Sequence, residues 1–236
     1  MKPEISRLSG ISGFYADEYL DIDRATARFL YTVVKPFFRM PRGLEMGVGD
    51  GSMTRDLASD FSELTVLDGS SELLEKILPA PTMTKVHALF EDYAPHSRFN
   101  TILMMHVLEH VEHPVAVLKK VREWLAPDGV FILGVPNAQS IHRRVAVKMG
   151  LMQHPGQLNE RDIAVGHRRV YTPVTFRADI EAAGLKIIET GGAFLKPLSN
   201  AQIQKSWTQP MIEGFFELGR EFPALAAEIY AVCEKH

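Results

Sequence analysis

The chain reads as a doubly wound α/β fold, a mostly parallel sheet with helices on both faces. Three observations predict it. Five short apolar runs between Gly43 and about Val135 alternate with segments of helical spacing. The runs are apolar throughout rather than on alternate residues, as strands covered on both faces are. With 236 residues, 46% of them hydrophobic and 23% charged, the chain can build one sizeable core.

The first element is a helix from Asp23 to Phe38, in which Ala25, Phe29, Val33 and Phe37 recur at four-residue spacing. That spacing makes a one-sided apolar stripe, and Pro41 with Gly43 ends it. Ahead of it, Phe14, Tyr15 and Tyr19 form an aromatic cluster whose plainest reading is core packing. The strand candidates are GLEMGV, ELTVLD, TMTKVHAL, FNTILMMHV and GVFILGVP. Between them MTRDLASDF, SELLEKIL and PVAVLKKVREWL read as helices, with Ser71 as a cap and Pro114 in a first turn. From Asn137 to His167 the alternation breaks into a stretch rich in His, Arg, Gln and Gly, which reads as an insertion or lid. PVTFRADIEAAG returns to helix and LKIIETGG to strand. A helical segment from about Asn200 to Arg220 then precedes a last strand candidate, AAEIYAVCEK.

Composition narrows the function. A net charge of −3 with mixed signs leaves no basic stripe, so a nucleic-acid partner is not expected. One cysteine, Cys233, cannot form an internal disulfide, and a reducing, cytoplasmic setting is expected. MKPEISRLSG lacks the apolar core of a signal peptide, and no apolar run approaches the roughly 20 residues that span a bilayer. No membrane partner is expected.

The strongest motif is Glu45-Met-Gly47-Val-Gly49-Asp-Gly51, directly after the first strand and opening a helix. Its glycines let the backbone turn tightly and let a ligand approach without a Cβ in the way. Asp68 ends the second strand about twenty residues later, where an acid can accept hydrogen bonds from both hydroxyls of a ribose. Asp68-Gly69-Ser70-Ser71 is also ordinary turn chemistry, but behind a glycine loop the ribose reading is favoured. The adenosine ligand could be NAD, FAD or S-adenosylmethionine. Ser52 stands where a dinucleotide fingerprint has its third glycine or an alanine. Asp50 near the start of the helix would repel a pyrophosphate and suits a cationic or zwitterionic ligand. The balance moves to S-adenosylmethionine.

These motifs continue with His106-Val-Leu-Glu109-His110-Val111, Leu125-Ala-Pro127-Asp-Gly129 and Val135-Pro136-Asn137. In this order, from about Gly43 to Gly191, they resemble class I S-adenosylmethionine-dependent methyltransferases. The nearest subgroup holds the ubiquinone-pathway O-methyltransferases and many natural-product and sugar methyltransferases. The resemblance implies a seven-stranded sheet with an antiparallel last strand, AAEIYAVCEK. It divides a single domain into a helical cover (1–41), a cofactor-binding half (42–136), a lid (137–170) and the rest of the sheet (171–236), with a helical insertion near 199–220. It also implies roles. Glu45, Gly47, Gly49 and Gly51 would line the methionine end of the cofactor, Asp68 with Gly69 and Ser70 would hold the ribose, and Phe90 and Glu91 would flank the adenine. Met105 and His106 would lie beside the cofactor near the reacting centre, and Tyr15 and Tyr19 would close over the sulfonium. Leu89 departs from the pattern, since the family often has an acid there.

Methyl transfer needs alignment of acceptor and methyl above all. A hydroxyl acceptor also gains from a general base, and His167, His106 and His110 are the candidates. His167 follows the lid in Gly-His-Arg-Arg-Val-Tyr-Thr, where similar segments of the family place a histidine near the acceptor. Arg143, Arg144, Arg161, Arg168 and Arg169 cluster around the lid and make an anionic acceptor conceivable, with a solvated lid surface the plainer reading. The histidines and carboxylates show no recognisable ligand spacing, so no metal is expected. The expected function is methyl transfer to a small molecule, with oxygen the preferred acceptor and a homodimer the expected assembly. The competing readings are an N-methyltransferase on an amino sugar or similar metabolite, a nicotinamide-dependent oxidoreductase, and a cofactor-binding protein without catalysis.

Overall fold

The computed structural model describes residues 3–13 and 21–236. All seven strand candidates form strands: β1 (Arg42–Met46), β2 (Glu63–Asp68), β3 (Met83–His87), β4 (Phe99–Met105), β5 (Leu125–Pro136), β6 (Leu185–Ala193) and β7 (Glu228–Lys235). They build one sheet in the order β3-β2-β1-β4-β5-β7-β6. The first five strands run parallel, and β7 is antiparallel to both β5 and β6. The helices are α1 (Pro3–Gly13), α2 (Asp21–Val34), α3 (Thr54–Asp60), α4 (Ser71–Lys76), α5 (Pro114–Trp124), α6 (Ile141–Lys148), α7 (Glu160–Ala164), α8 (Pro173–Ala182), α9 (Asn200–Ser206) and α10 (Gln209–Glu221).

The apolar runs are continuous because consecutive residues enter different cores. Ile102 and Met104 of β4 pack with α5 and α8 on one face, while Leu103 between them packs with α2, α3 and α4 on the other. Phe131 and Leu133 of β5 divide from Ile132 in the same way. A third cluster of Ile22, Phe194, Ile203, Phe216 and Ala227 ties α2, α9 and α10 to the junction of β6 and β7. Its rings stack: the Phe216 centroid lies 4.4 Å from that of Phe29 and 4.2 Å from that of Phe194. Among the described residues, no helix is long and apolar enough to cross a membrane.

Four details differ from the sequence reading. The deeply buried stripe of α2 is Ile22, Thr26, Leu30 and Val34, one position from the expected stripe, whose members are only partly buried. The cap of α4 is Ser70 rather than Ser71, its hydroxyl accepting from the Leu73 N–H at 3.3 Å. The segment from 200 to 220 is two helices, because Pro210 brings no N–H and suits the first turn of a new helix. Finally, α3 begins at Thr54, so Asp50 lies in the loop ahead of it. Asp50 is also paired with Arg24 at 3.0 Å, which weakens the argument that its charge repels a pyrophosphate.

Candidate active site

A cavity of about 800 Å³ opens where the chain leaves the carboxyl ends of β1, β4 and β5. The strand order reverses between β1 and β4, which is where open α/β sheets bind their ligands. On one side the wall is the glycine loop. Gly47 has φ of 80°, and its N–H donates to the Leu67 carbonyl at 2.8 Å. A Cβ there would lie 2.4 Å from Val107 Cγ2, so only glycine lets the loop turn against the β4 exit. Gly49 also lines the cavity, whereas Gly51 faces Ile77 of the neighbouring helix end and is not part of the wall.

Asp68 is fixed by its own turn. One carboxylate oxygen accepts from Val48 N–H at 2.9 Å and the other from Ser70 N–H at 2.7 Å, so the group keeps lone pairs for a ligand. Burial raises its pKa while those N–H bonds pull the other way. Behind it, burial pushes Glu45 up to about 8, helped by the Asp68 charge, so Glu45 carries a proton at neutral pH. Glu45 Oε2 is buried with no hydrogen-bond partner among the described residues. A polar ligand with donors for Asp68 and a partner for Glu45 fits this wall. Leu89, Phe90 and exposed Glu91 continue it, and Leu8 of α1 packs against Gly69. Tyr15 and Tyr19 lie outside the described residues.

The opposite wall is assembled by the lid. Asn159 and Asp162 form a capping box at the start of α7, which pins Asp162. Arg143, only 4% exposed, adds an ion pair to Asp162 at 3.0 Å. Gly166, with φ of 83°, reverses the chain after α7, and the His167 N–H returns to the Asp162 carbonyl at 2.8 Å. This places His167 Nδ1 3.2 Å from Asp162 Oδ1, and Nε2 3.7 Å from Glu109 Oε1. Burial works against the Asp162 charge, but the His167 hydrogen bond and the Arg143 guanidinium outweigh it and hold the carboxyl near 2. Asp162 is therefore ionised and accepts from Nδ1–H, leaving the Nε2 lone pair free. The next residues secure the histidine. Arg168 N–H donates to the Glu109 carbonyl at 2.9 Å, and Arg169 Nη2 donates to the Glu112 carbonyl at 3.1 Å.

The other two histidine candidates behave differently. His110 stands with its ring 4.7 Å from that of His167 at 77°. Burial lowers its pKa to about 3, so it is a neutral ring of weak basicity. His106 has φ of 55°, and its Nε2 lies 3.1 Å from Glu228 Oε2. Burial opposes its charge, but Glu228, with Glu109 and Asp23 farther off, raises it to about 9 and makes it a cation at neutral pH.

Glu45, Gly47, Gly49, Asp68, Gly69, Ser70, Phe90, Glu91, Met105, His106, His110 and His167 thus all line one cavity. Sequence reading missed Asp162, Lys196 and Glu228, which line it too. Glu228 alone left a trace, as a charge at the head of an apolar run. One cluster of possible ligands was not visible from spacing along the chain. Glu109, His110 and His167 bring donor atoms within 4.8 Å of one another, an arrangement hidden because the lid supplies the third. Of the lid arginines, Arg144, Arg161 and Arg168 are exposed, as expected of a lid surface, while Arg143 is not. Arg143 is buried on Asp162, Arg161 pairs with Asp23 at 2.7 Å, and Arg168 pairs with Glu4 at 2.9 Å.

Comparison with known proteins agrees with this geometry. The profile of a methyltransferase domain family matches residues 16–190. The chain is 24% identical over 173 residues to the ubiquinone biosynthesis O-methyltransferase of Pseudoalteromonas translucida (strain TAC 125), covering 66% of this chain and 68% of that protein. It is 26% identical over 98 residues to the (S)-coclaurine N-methyltransferase of Thalictrum flavum subsp. glaucum, 38% of this chain and 27% of that longer relative. The fold is shared with the N-methyltransferase NodS of Bradyrhizobium japonicum WM9, solved with S-adenosyl-L-homocysteine, at a TM-score of 0.60 and 14% identity over 98% of this chain and 96% of that one. With a domain match over most of its length and the matching sheet, the chain belongs to the methyltransferase domain family and is an S-adenosylmethionine-dependent methyltransferase.

Proposed function

We propose that the chain methylates an oxygen of a small-molecule acceptor, with His167 as the general base. The carrying observation is the Asp162–His167 pair at 3.2 Å, which fixes the ring and frees Nε2 at the cavity wall. S-adenosylmethionine supplies an electrophilic methyl carbon on a sulfonium. Asp68 would accept from its ribose hydroxyls, the glycine loop would lie against its amino-acid end, and Leu89 with Phe90 would flank the adenine. As the acceptor oxygen took the methyl group and the methyl–sulfur bond broke to leave the neutral thioether, His167 Nε2 would take the hydroxyl proton and Asp162 would stabilise the imidazolium. His106 is already protonated and His110 is too weakly basic, so neither competes for this role.

The test is the pH profile of kcat for the wild type and Asp162→Asn on a panel of hydroxyl and amine acceptors. A hydroxyl substrate with an acid limb that moves in Asp162→Asn supports the reading. A panel on which only amines are methylated, with no such limb, contradicts it and favours N-methylation. One observation favours a second reading, in which Glu109, His110 and His167 share a divalent cation that binds the acceptor oxygen. Assays with and without a chelator separate the two: the general-base reading predicts unchanged turnover.

A further inference from the structure

The acceptor side of the cavity holds a charge that methyl transfer leaves unused. Lys196 follows β6, is 7% exposed, and lines the cavity. Its ammonium donates to Asn200 Oδ1 and stands 5.6 Å from the centre of the Phe194 ring. Among the described residues, no carboxylate oxygen lies within 4.0 Å of it. The nearby carboxylates are engaged elsewhere: Glu228 with His106 at 3.1 Å, and Asp23 with Arg161 at 2.7 Å. Burying an ammonium with one neutral partner is costly unless a ligand completes its shell.

The backbone holds this lysine in place by force. Phe194 has φ of 65°, which is strained for a side chain of that size. The strain is held by three contacts: Ala227 N–H donates to the Phe194 carbonyl at 2.8 Å, Lys196 N–H to the same carbonyl at 3.0 Å, and Leu195 N–H to the Phe215 carbonyl at 2.8 Å. His142 of the lid lines the same cavity, and its Nδ1 is buried without a partner among the described residues. Its ring is kept neutral by burial and by the charges of Lys196 and Arg143. A neutral ring next to an ammonium is an arrangement of hydrogen-bond donors, suited to an anionic oxygen.

We infer that the acceptor carries an anionic oxygen group, a carboxylate or a phosphate, that binds Lys196. This rests on the reading of the cavity as holding donor and acceptor together. The methionine part of the donor has a carboxylate of its own, and the experiment separates the two sources.

The experiment titrates the protein saturated with S-adenosyl-L-homocysteine with benzoate and, as its neutral match, benzamide, by ligand-observed NMR. Wild type, Lys196→Met and Lys196→Arg are compared, and S-adenosyl-L-homocysteine affinity is measured for each by calorimetry. The expected result is benzoate binding at least about tenfold tighter than benzamide in the wild type. That preference is lost in Lys196→Met and largely kept in Lys196→Arg, with S-adenosyl-L-homocysteine affinity unchanged throughout. Equal binding of the two probes to the wild type would overturn the inference. So would a Lys196→Met protein that loses S-adenosyl-L-homocysteine affinity instead, since the anion would then be the donor's own carboxylate. Wild-type affinity for S-adenosyl-L-homocysteine tests the cofactor site separately, so a failed anion subsite is not confused with a failed cofactor site.

Discussion

Along β1 and β2 the cavity wall is mostly backbone, with positive-φ glycines and one carboxylate held by two N–H groups. Along the lid, the β4 exit, β6 and β7 the wall is side chains: Asp162, His167, His106, Lys196 and Glu228. The first wall can be made by one turn and the residue ending the next strand. The second needs a capping box, a left-handed glycine, an arginine from another helix and a strained loop to bring its charges together. Under the proposed function the first wall would govern which donor binds, and the second what happens to the acceptor.

That division can be broken most sharply at His167. Replacing it with alanine is expected to lower kcat by about 100- to 10,000-fold while leaving donor affinity unchanged, as steady-state kinetics and calorimetry would measure. A fall in donor affinity instead would erase the division. The next largest effect is expected at Asp68. Asp68→Asn removes the charge that strengthens these hydrogen bonds, a loss of about 1.5–3 kcal/mol in total, so donor affinity should fall by roughly ten- to 150-fold. Turnover at saturating donor should change far less.

The contrast also explains what the sequence disclosed. The central strands were legible because they are buried on both faces and therefore apolar without a break, as Ile102, Leu103 and Met104 are, whereas the edge strands β3 and β6 are largely exposed and were read from their place in the alternation. The glycine loop and Asp68 were legible because their chemistry is local: spacing along the chain is spacing in space. His167 was reached only through family resemblance. Its partners stayed hidden because Asp162 looks like any acid in a helix cap, and Lys196 follows a strand end with no motif around it. The buried stripe of α2 was misplaced by one residue because both stripes carry apolar side chains: Leu30 and Val34 enter the core under the sheet, while Phe29 packs on Phe216 and stays partly exposed.

A smaller effect should appear in stability against pH. The folded pKa of His106 is raised to about 9, so its contribution is complete below about 6.5 and is lost as pH rises through 9. His110 and His142 are depressed to about 3 in the fold, so stability also falls as pH drops below about 6.5. Chemical denaturation across this range should give a maximum near pH 6.5. Discounted for its partial exposure, the alkaline decline attributable to His106 is about 1 kcal/mol and should vanish in His106→Gln.

The most direct measurement compares S-adenosyl-L-homocysteine affinity and turnover of Asp68→Asn and His167→Ala side by side. The account predicts that Asp68→Asn loses affinity at least about tenfold while His167→Ala keeps it and loses turnover. Full affinity in Asp68→Asn together with weakened affinity in His167→Ala would contradict the assignment of the two walls.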